Sequence, residues 1–246
     1  MDETALPPPR FGVEGRIAAL ENLSPGVTAV RVAVESGPLI FAPGQYVAMS
    51  LPEQPPRDYS LTWRSAPDEL EFFVRDHGVG GTSTFIAERL RVRDSIRFDG
   101  PFGTMPLALG HEGPLLCIAA STGIGPVTAI AKAAGELAPE REVQLYWGAA
   151  KAEDLFLVDD IAAALPLDGR LVLSAEDVEP DNGMIRAGNP VDAVSVYHGV
   201  LEGWGAVAAG PPVMVEAAAV LIQSLGLAPE NFHADAFFTQ KDKQPK

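Results

Sequence analysis

The sequence has very little cysteine: Cys117 is the only one in 246 residues. A single thiol cannot form an intramolecular disulfide, complete a cysteine-ligated iron–sulfur cluster or complete a zinc site that needs two cysteines. Cys117 lies in the apolar run 115–120, and this position favours an inert buried thiol over a catalytic one. These 246 residues therefore cannot form a metal site that needs two or more of their own cysteines.

Long hydrophobic runs and an excess of positive charge are also missing. No apolar stretch approaches the roughly 20 residues that span a bilayer. The chain has 18 Lys and Arg against 33 Asp and Glu, so its net charge is −15, which argues against nucleic acid or an anionic membrane surface as the main partner. With 47% hydrophobic and 21% charged residues the composition is that of a globular protein, and we expect it to be cytoplasmic.

The spacing of apolar residues changes near residue 110. Before that point, short alternating segments such as 27–34 and 45–50, separated by Gly and Pro, predict an antiparallel β-barrel domain over residues 1–110. After it, strands alternate with helices, which predicts a doubly wound α/β domain with a parallel sheet over residues 111–246. The predicted helix of the first domain is 83–90. The predicted strands of the second are 115–120, 142–148, 170–174 and 205–209, and its helices are 124–138, 158–165 and 212–225.

Two segments of the first half have the chemistry of a phosphate site. In Arg57-Asp58-Tyr59-Ser60, the planar arginine side chain can donate two parallel hydrogen bonds to a diphosphate. Gly80-Gly81-Thr82-Ser83 opens the predicted helix with free backbone N–H groups and the positive end of the helix dipole. Each segment also has an ordinary interpretation, because surface arginines and Ser or Thr helix caps are common.

Two glycine-containing turns of the second half follow predicted strands. Ser121-Thr122-Gly123-Ile124-Gly125-Pro126 comes after the first strand, and Ala209-Gly210-Pro211-Pro212-Val213-Met214 comes after the fourth. Doubly wound sheets bind nucleotides at the carboxyl ends of their strands. Neither turn is a complete G-x-G-x-x-G fingerprint, so the pair is stronger evidence than either turn alone.

In this order, the four segments resemble the ferredoxin–NAD(P)⁺ reductase superfamily. The matching patterns are Arg57-x-Tyr59-Ser60, Gly80-Gly81-x-Ser83, Thr122-Gly123-Ile124-x-Pro126 and Gly210-Pro211-Pro212-x-Met214. The resemblance is nearest to the NADH-dependent, FAD-containing reductases of bacterial oxygenase systems, without their iron–sulfur domain. It implies a flavoprotein oxidoreductase that transfers hydride from NADH to bound FAD and passes electrons to a separate acceptor, such as a ferredoxin or an oxygenase component.

The resemblance also implies roles for particular residues. Arg57 would bind the FAD diphosphate, Tyr59 would lie against the isoalloxazine and the Ser60 hydroxyl would approach flavin N5. Asp235 would stand near the flavin and Phe237, with Phe238 as the alternative, would cover its other face; Ser60, Asp235 and Phe237 form the implied catalytic set. The implied FAD-binding residues are Arg57, Asp58, Tyr59, Ser60, Val74, Arg75, Gly80, Gly81, Thr82, Ser83 and Phe237. The implied NADH-binding residues are Thr122, Gly123, Gly125, Pro126, Gly148, Ser174, Glu176, Gly210, Pro211, Pro212 and Met214.

The residues after the third predicted strand of the second domain bear on the choice of coenzyme. NADP-dependent relatives typically place an arginine directly after the serine that ends this strand, whereas here Ser174 is followed by Ala175, Glu176 and Asp177. No Lys or Arg occurs between Arg170 and Arg186. A 2′-phosphate would meet like charge, so we expect NADH to be preferred over NADPH. The alternative is that Lys151 holds the phosphate.

Four arginines stand close together in this acidic chain: Arg89, Arg91, Arg93 and Arg97. They could form a docking patch for an acidic electron acceptor, and the alternative is a solvated helix end with internal salt bridges. Two other functions stay open from the sequence. One is a reductase of free flavin, and the other is a non-catalytic flavin-binding subunit of a larger complex.

Overall fold

In a computed structural model, which describes residues 6–78, 80–179 and 183–238, the chain forms two six-stranded sheets. The first sheet is antiparallel and the second is parallel, which confirms the predicted fold class. The first sheet ends at Phe102 and the second begins at Leu115. The predicted domain boundary at residue 110 falls between them and stays a prediction.

The first domain consists of short strands and one helix. Its strand order is β4-β3-β6-β1-β2-β5, and an antiparallel bridge between Leu61 and Phe72 connects the two outer strands. Alternate residues such as Val30 and Val32 face the interior and are fully buried. The elements are β1 (Arg10–Ser24), β2 (Val27–Val34), β3 (Tyr46–Ser50), β4 (Arg57–Ser60), β5 (Glu69–Arg75), α1 (Thr82–Glu88) and β6 (Ser95–Phe102).

The second domain has helices on both faces of its sheet. Leu115, Cys117 and Ala119 pack in one apolar core, whereas Leu116 and Ile118 pack in the other. A strand buried on both faces explains why the run 115–120 is apolar throughout rather than alternating. The elements are β7 (Leu115–Ala120), α2 (Ile124–Leu137), β8 (Val143–Ala149), α3 (Val158–Ala164), β9 (Arg170–Ala175), β10 (Ile185–Ala187), α4 (Pro190–Tyr197), β11 (Gly205–Gly210), α5 (Pro212–Ser224) and β12 (Phe232–Ala236).

Three elements of the second domain were not predicted: β10, α4 and β12. The strand order of the second sheet is β10-β9-β8-β7-β11-β12, so the two short strands β10 and β12 lie at its edges. The start of α4 did carry a signal, because Asn189 caps it by accepting hydrogen bonds from two backbone amides and Pro190 follows as the first helical residue. The strands have three and five residues, too few to show a period.

The two domains share part of one apolar core. Phe73 and Ala29 of the first sheet belong to the same buried cluster as Ile130 of α2 and Phe156, which precedes α3. Among the residues described, no helix is both long and apolar enough to cross a membrane. The buried thiol of Cys117 has a pKa raised by burial to about 12, so it is protonated at neutral pH.

Candidate functional site

All eleven residues implied for FAD line one cleft between the two domains. The second domain adds Thr122, from the set implied for NADH, and Phe238. Phe73 and His77 also line the cleft, although we predicted no role for either. Phe73 is an apolar residue in an apolar strand, so the sequence offers no signal by which it could have been chosen.

One polar contact of the site joins its two halves. The Ser60 hydroxyl, at the end of β4, donates a 3.0 Å hydrogen bond to the Asp235 carboxylate on β12, 175 residues later in the chain. Burial raises the pKa of Asp235, the bond from Ser60 opposes that shift, and the nearby Asp58 adds to it. A hydroxyl and a carboxyl with a raised pKa form a pair that can hold or release a proton.

Arg57 and the glycine turn before α1 fit a diphosphate group. Among the described residues, the Arg57 guanidinium has no carboxylate within ion-pairing distance, and its hydrogen bond goes to the carbonyl of Pro56 at 3.3 Å. Gly80 and Gly81 have φ of +79° and +88°, a conformation that glycine adopts without strain. The first helical bond runs from Phe85 N–H to the Gly81 carbonyl, so the amides just before it have no partner within the helix.

Tyr59 contributes an aromatic ring to the same wall. Its ring packs edge-on against the buried Phe72 with 6.3 Å between centroids. Burial raises the pKa of the Tyr59 phenol, which the charge of Arg57 only partly offsets. The side chain is therefore a neutral ring suited to an apolar contact with a flavin.

The two nucleotide turns of the second domain meet at the carboxyl edge of the sheet. A Cβ at Gly123 would overlap the carbonyl of Ala209, and one at Gly210, whose φ is +146°, would lie 2.9 Å from the carbonyl of Ala120. The two backbones can approach this closely only because both positions are glycine. Pro211 and Pro212 then lead into α5, where Met214 is buried and packs against Gly210.

Gly125 and Pro126 lie in the first turn of α2 and are buried. A Cβ at Gly125 would lie 3.1 Å from Thr62 and 3.3 Å from Phe73, both in the first domain. The structure thus places Gly125 in the packing between the domains. Its contact with coenzyme phosphates stays a prediction.

The residues implied for the adenosine end of NADH lie at the ends of β8 and β9. Ser174 is fully buried and its hydroxyl has no hydrogen-bond partner among the described residues, while Gly148 leaves space for Pro190 beside it. Glu176 is exposed. Sequence reasoning missed Arg186, which pairs with Ser174 in the register of β10 and donates a 2.9 Å hydrogen bond to the Tyr197 hydroxyl.

Phe237 and Phe238 both line the cleft. The Phe237 amide donates a 2.9 Å hydrogen bond to the Gly210 carbonyl, and its side chain is half-buried against the shared core. Phe238 is 58% exposed. Phe237 is more buried than Phe238 and its backbone is hydrogen-bonded, which agrees with our preference for it. The choice between the two stays a prediction.

The four predicted docking arginines are not among the residues that line the cleft. Arg89, Arg91, Arg93 and Arg97 are all exposed, and Arg97 forms a 3.3 Å ion pair with Glu14. Arg97 is near the start of β6, next to Phe98, which pairs with Met49, and Met49 in turn pairs with Arg57 of the cleft. At about 4.8 Å between neighbouring strands, the Phe98 backbone is roughly 10 Å from the Arg57 backbone.

Comparison with known proteins agrees with this geometry. Residues 14–106 match the oxidoreductase FAD-binding domain family, and residues 117–219 match the oxidoreductase NAD-binding domain family. Over 96% of its length the chain is 32% identical to the ferredoxin–NAD(P)⁺ reductase component of the naphthalene 1,2-dioxygenase/salicylate 5-hydroxylase systems of Ralstonia sp., of which it covers 72%. It is 28% identical, over 96% of the chain and 70% of the relative, to the propane 2-monooxygenase reductase component of Gordonia sp. (strain TY-5).

A solved structure shows the same fold. The cytochrome P450 reductase of Amycolatopsis superimposes with a TM-score of 0.83 and 30% identity, over 94% of this chain and 70% of that one. The two domain matches, the cleft between the domains and the close relatives all describe one kind of protein. The chain belongs to the ferredoxin–NAD(P)⁺ reductase superfamily and is an NAD(P)H-dependent, FAD-containing oxidoreductase.

Proposed function

We propose that this chain is the reductase component of an oxygenase system, in which it oxidises NADH and supplies electrons to a separate ferredoxin or oxygenase protein. One observation carries the proposal: the cleft brings every implied FAD residue together with Thr122 of the nucleotide turn. Bound FAD supplies the conversion of a two-electron hydride into single electrons. The chain itself binds, orients and shields the reactants.

The two ends of the cleft have different tasks. Arg57 and the amides of Gly81, Thr82 and Ser83 hold the FAD diphosphate through charge-assisted hydrogen bonds. At the other end, the hydrogen bond between Ser60 and Asp235 would hold a proton close to the bound flavin. Phe237 would cover the flavin and would have to move aside to admit nicotinamide.

Coenzyme selectivity lies at the strand ends of the second domain. Gly123 and Gly210 let the backbone approach the dinucleotide phosphates closely. Glu176 and Asp177 are exposed where the adenosine ribose is read, and their charges disfavour a 2′-phosphate there. Lys151, the alternative phosphate ligand, already pairs with Glu153 at 3.1 Å.

An absorbance experiment tests the proposal against its two alternatives. The purified protein is expected to carry one yellow FAD per chain and to bleach when NADH is added without oxygen. A colourless protein that oxidises NADH only with added flavin would instead be a free-flavin reductase. Bound flavin that NADH does not bleach would contradict the proposal and would favour a non-catalytic subunit.

A further inference from the structure

Arg75 is the last residue of β5 and reaches from the first domain into the second. Its Nε donates a 2.8 Å hydrogen bond to the Ser121 hydroxyl, and its Nη2 lies 3.1 Å from the Asp154 carboxylate. Asp154 is buried and lies 3.4 Å from the Ser24 hydroxyl of β1, which also donates to it. One guanidinium thus joins two separate segments of the second domain to the first.

Ser121 opens the turn that carries the nucleotide-binding residues. It has φ of +52°, a left-handed conformation that is unfavourable for a residue with a side chain. Its hydroxyl is held by Arg75, and its carbonyl accepts a 3.0 Å hydrogen bond from the Trp147 indole. The next residue, Thr122, already lines the flavin cleft. The position of this turn is therefore set by contacts from both domains.

The surroundings of the ion pair are aromatic. Phe73 packs edge-on against Phe156 at 5.2 Å, and Phe156 packs edge-on against Trp147 at the same distance. Phe73 stands two residues before Arg75 on its strand, and Phe156 stands two residues after Asp154. The Asp154 side chain is 8% exposed and the Arg75 side chain 23% exposed, so the pair is partly shielded from water, which strengthens its electrostatic attraction.

We propose that Arg75, Ser121 and Asp154 form an interdomain clasp, in which Arg75 is a positioning residue rather than a flavin ligand. The clasp sets where the coenzyme turn stands relative to the flavin cleft, and so it rests on the proposed hydride transfer between the two. Reacting atoms must approach to about 3–3.5 Å, and a displacement of about 1 Å can slow a reaction by about 100-fold. Arginine suits this role because its planar fork can bind two acceptors at a fixed angle.

The kinetic test compares Arg75→Gln, Asp154→Asn and the double variant with Arg16→Gln. Arg16 is a matched control because its ion pair with Glu35, at 2.7 Å, lies within the first domain. Each clasp variant is expected to retain its FAD but to be reduced by NADH about 10- to 100-fold more slowly in anaerobic stopped flow. The double variant should be no slower than the slower single variant, because both substitutions break one link. Arg16→Gln should match the wild type.

A second test uses hydrogen exchange in the flavin-free protein. Arg75→Gln, a change in the first domain, should speed amide exchange at 121–123 and 152–154 in the second, whereas Arg16→Gln should not. Ser121→Ala, which removes only an acceptor, probes the same link if Arg75→Gln does not fold. Unchanged exchange with reduction within about twofold of the wild type would overturn the clasp.

Two other outcomes are distinguishable from these. Loss of FAD from Arg75→Gln, with a normal reduction rate for each flavin that remains, would make Arg75 a flavin ligand and would also overturn the clasp. If NADH failed to reduce the wild-type flavin, the proposed function would be wrong. The exchange experiment would still decide whether Arg75 holds the turn of the second domain.

Discussion

At the scale of single residues, the charge of Arg57 is best suited to binding the FAD diphosphate. Arg57 lines the cleft and lacks a carboxylate partner among the residues described. A charge-assisted hydrogen bond contributes about 1.5–3 kcal/mol, so Arg57→Ala should weaken FAD binding by about 10- to 150-fold. Titration of the flavin-free protein with FAD measures this. Arg16→Ala, which removes an arginine outside the cleft, should bind FAD as the wild type does, and equal affinities for both variants would contradict the assignment.

Asp235 gives a prediction about pH at the same scale. Burial raises its folded-state pKa above the ordinary 3.8, so the folded protein holds this proton to higher pH than the unfolded chain does. The stability from that proton is present below pH 3.8 and is lost as pH rises through the raised pKa. Asp235→Asn, which cannot ionise, should therefore gain stability relative to the wild type across this window. Urea unfolding at several pH values measures the difference, and a constant difference would contradict the raised pKa.

At the scale of elements, β9 and β10 are the strands where we expect the choice of coenzyme to be made. Glu176 and Asp177 follow β9, but the parallel pairing of β10 also brings Arg186 opposite Ser174. The Arg186 guanidinium is bonded to Tyr197 and lies 5.0 Å above its ring, so it is already engaged on the α4 side of the sheet. The acidic side chains are exposed and are the charges that a 2′-phosphate would meet first.

We therefore expect kcat/KM to favour NADH over NADPH. Repulsion between close like charges is about 1 kcal/mol in water and about 4 kcal/mol near a protein surface, which corresponds to about 5-fold to several-hundred-fold. Glu176→Gln should raise kcat/KM for NADPH more than for NADH. Arg186→Gln is the matched variant on the neighbouring strand: a selective loss of NADPH activity there would mean that Arg186 holds the phosphate. A wild type that uses both coenzymes equally would contradict the preference.

At the scale of the whole molecule, we expect the arrangement of charge to guide the approach of an electron acceptor. The arginines at 89, 91, 93 and 97 are exposed and are not among the residues that line the cleft. Replacing Arg91 and Arg93 with glutamate should slow electron transfer to an acidic ferredoxin by on the order of tenfold at low ionic strength. Reduction of ferricyanide should be unaffected. Lys132→Glu, a charge reversal on the other domain, is the control, and equal effects on both acceptors would contradict docking at this patch.

Much of this protein could be predicted from local sequence. The apolar spacing is local, so the antiparallel and parallel halves were predicted, together with β2, β3 and four of the six strands of the second domain. The residues that the resemblance implied for FAD all line the cleft, and their contacts with FAD stay predictions. Elements such as β10 were missed because three residues cannot show a period, and α4 was missed although Asn189 and Pro190 signal its start. The place of Phe73 in the cleft wall could not be predicted, because it depends on neighbours from distant parts of the chain, such as Phe156.

The sequence by itself determined the fold class, the cofactor chemistry and the order of the binding segments, since each depends on patterns within a few residues. The tertiary structure alone decided which of those residues meet. It brought Ser60 within 3.0 Å of Asp235, and it joined Arg75, which lines the cleft, to Ser121 and Asp154. The physical reason is that hydrogen bonds and ion pairs act over a few ångströms in space, whereas these partners lie 46 to 175 residues apart along the chain.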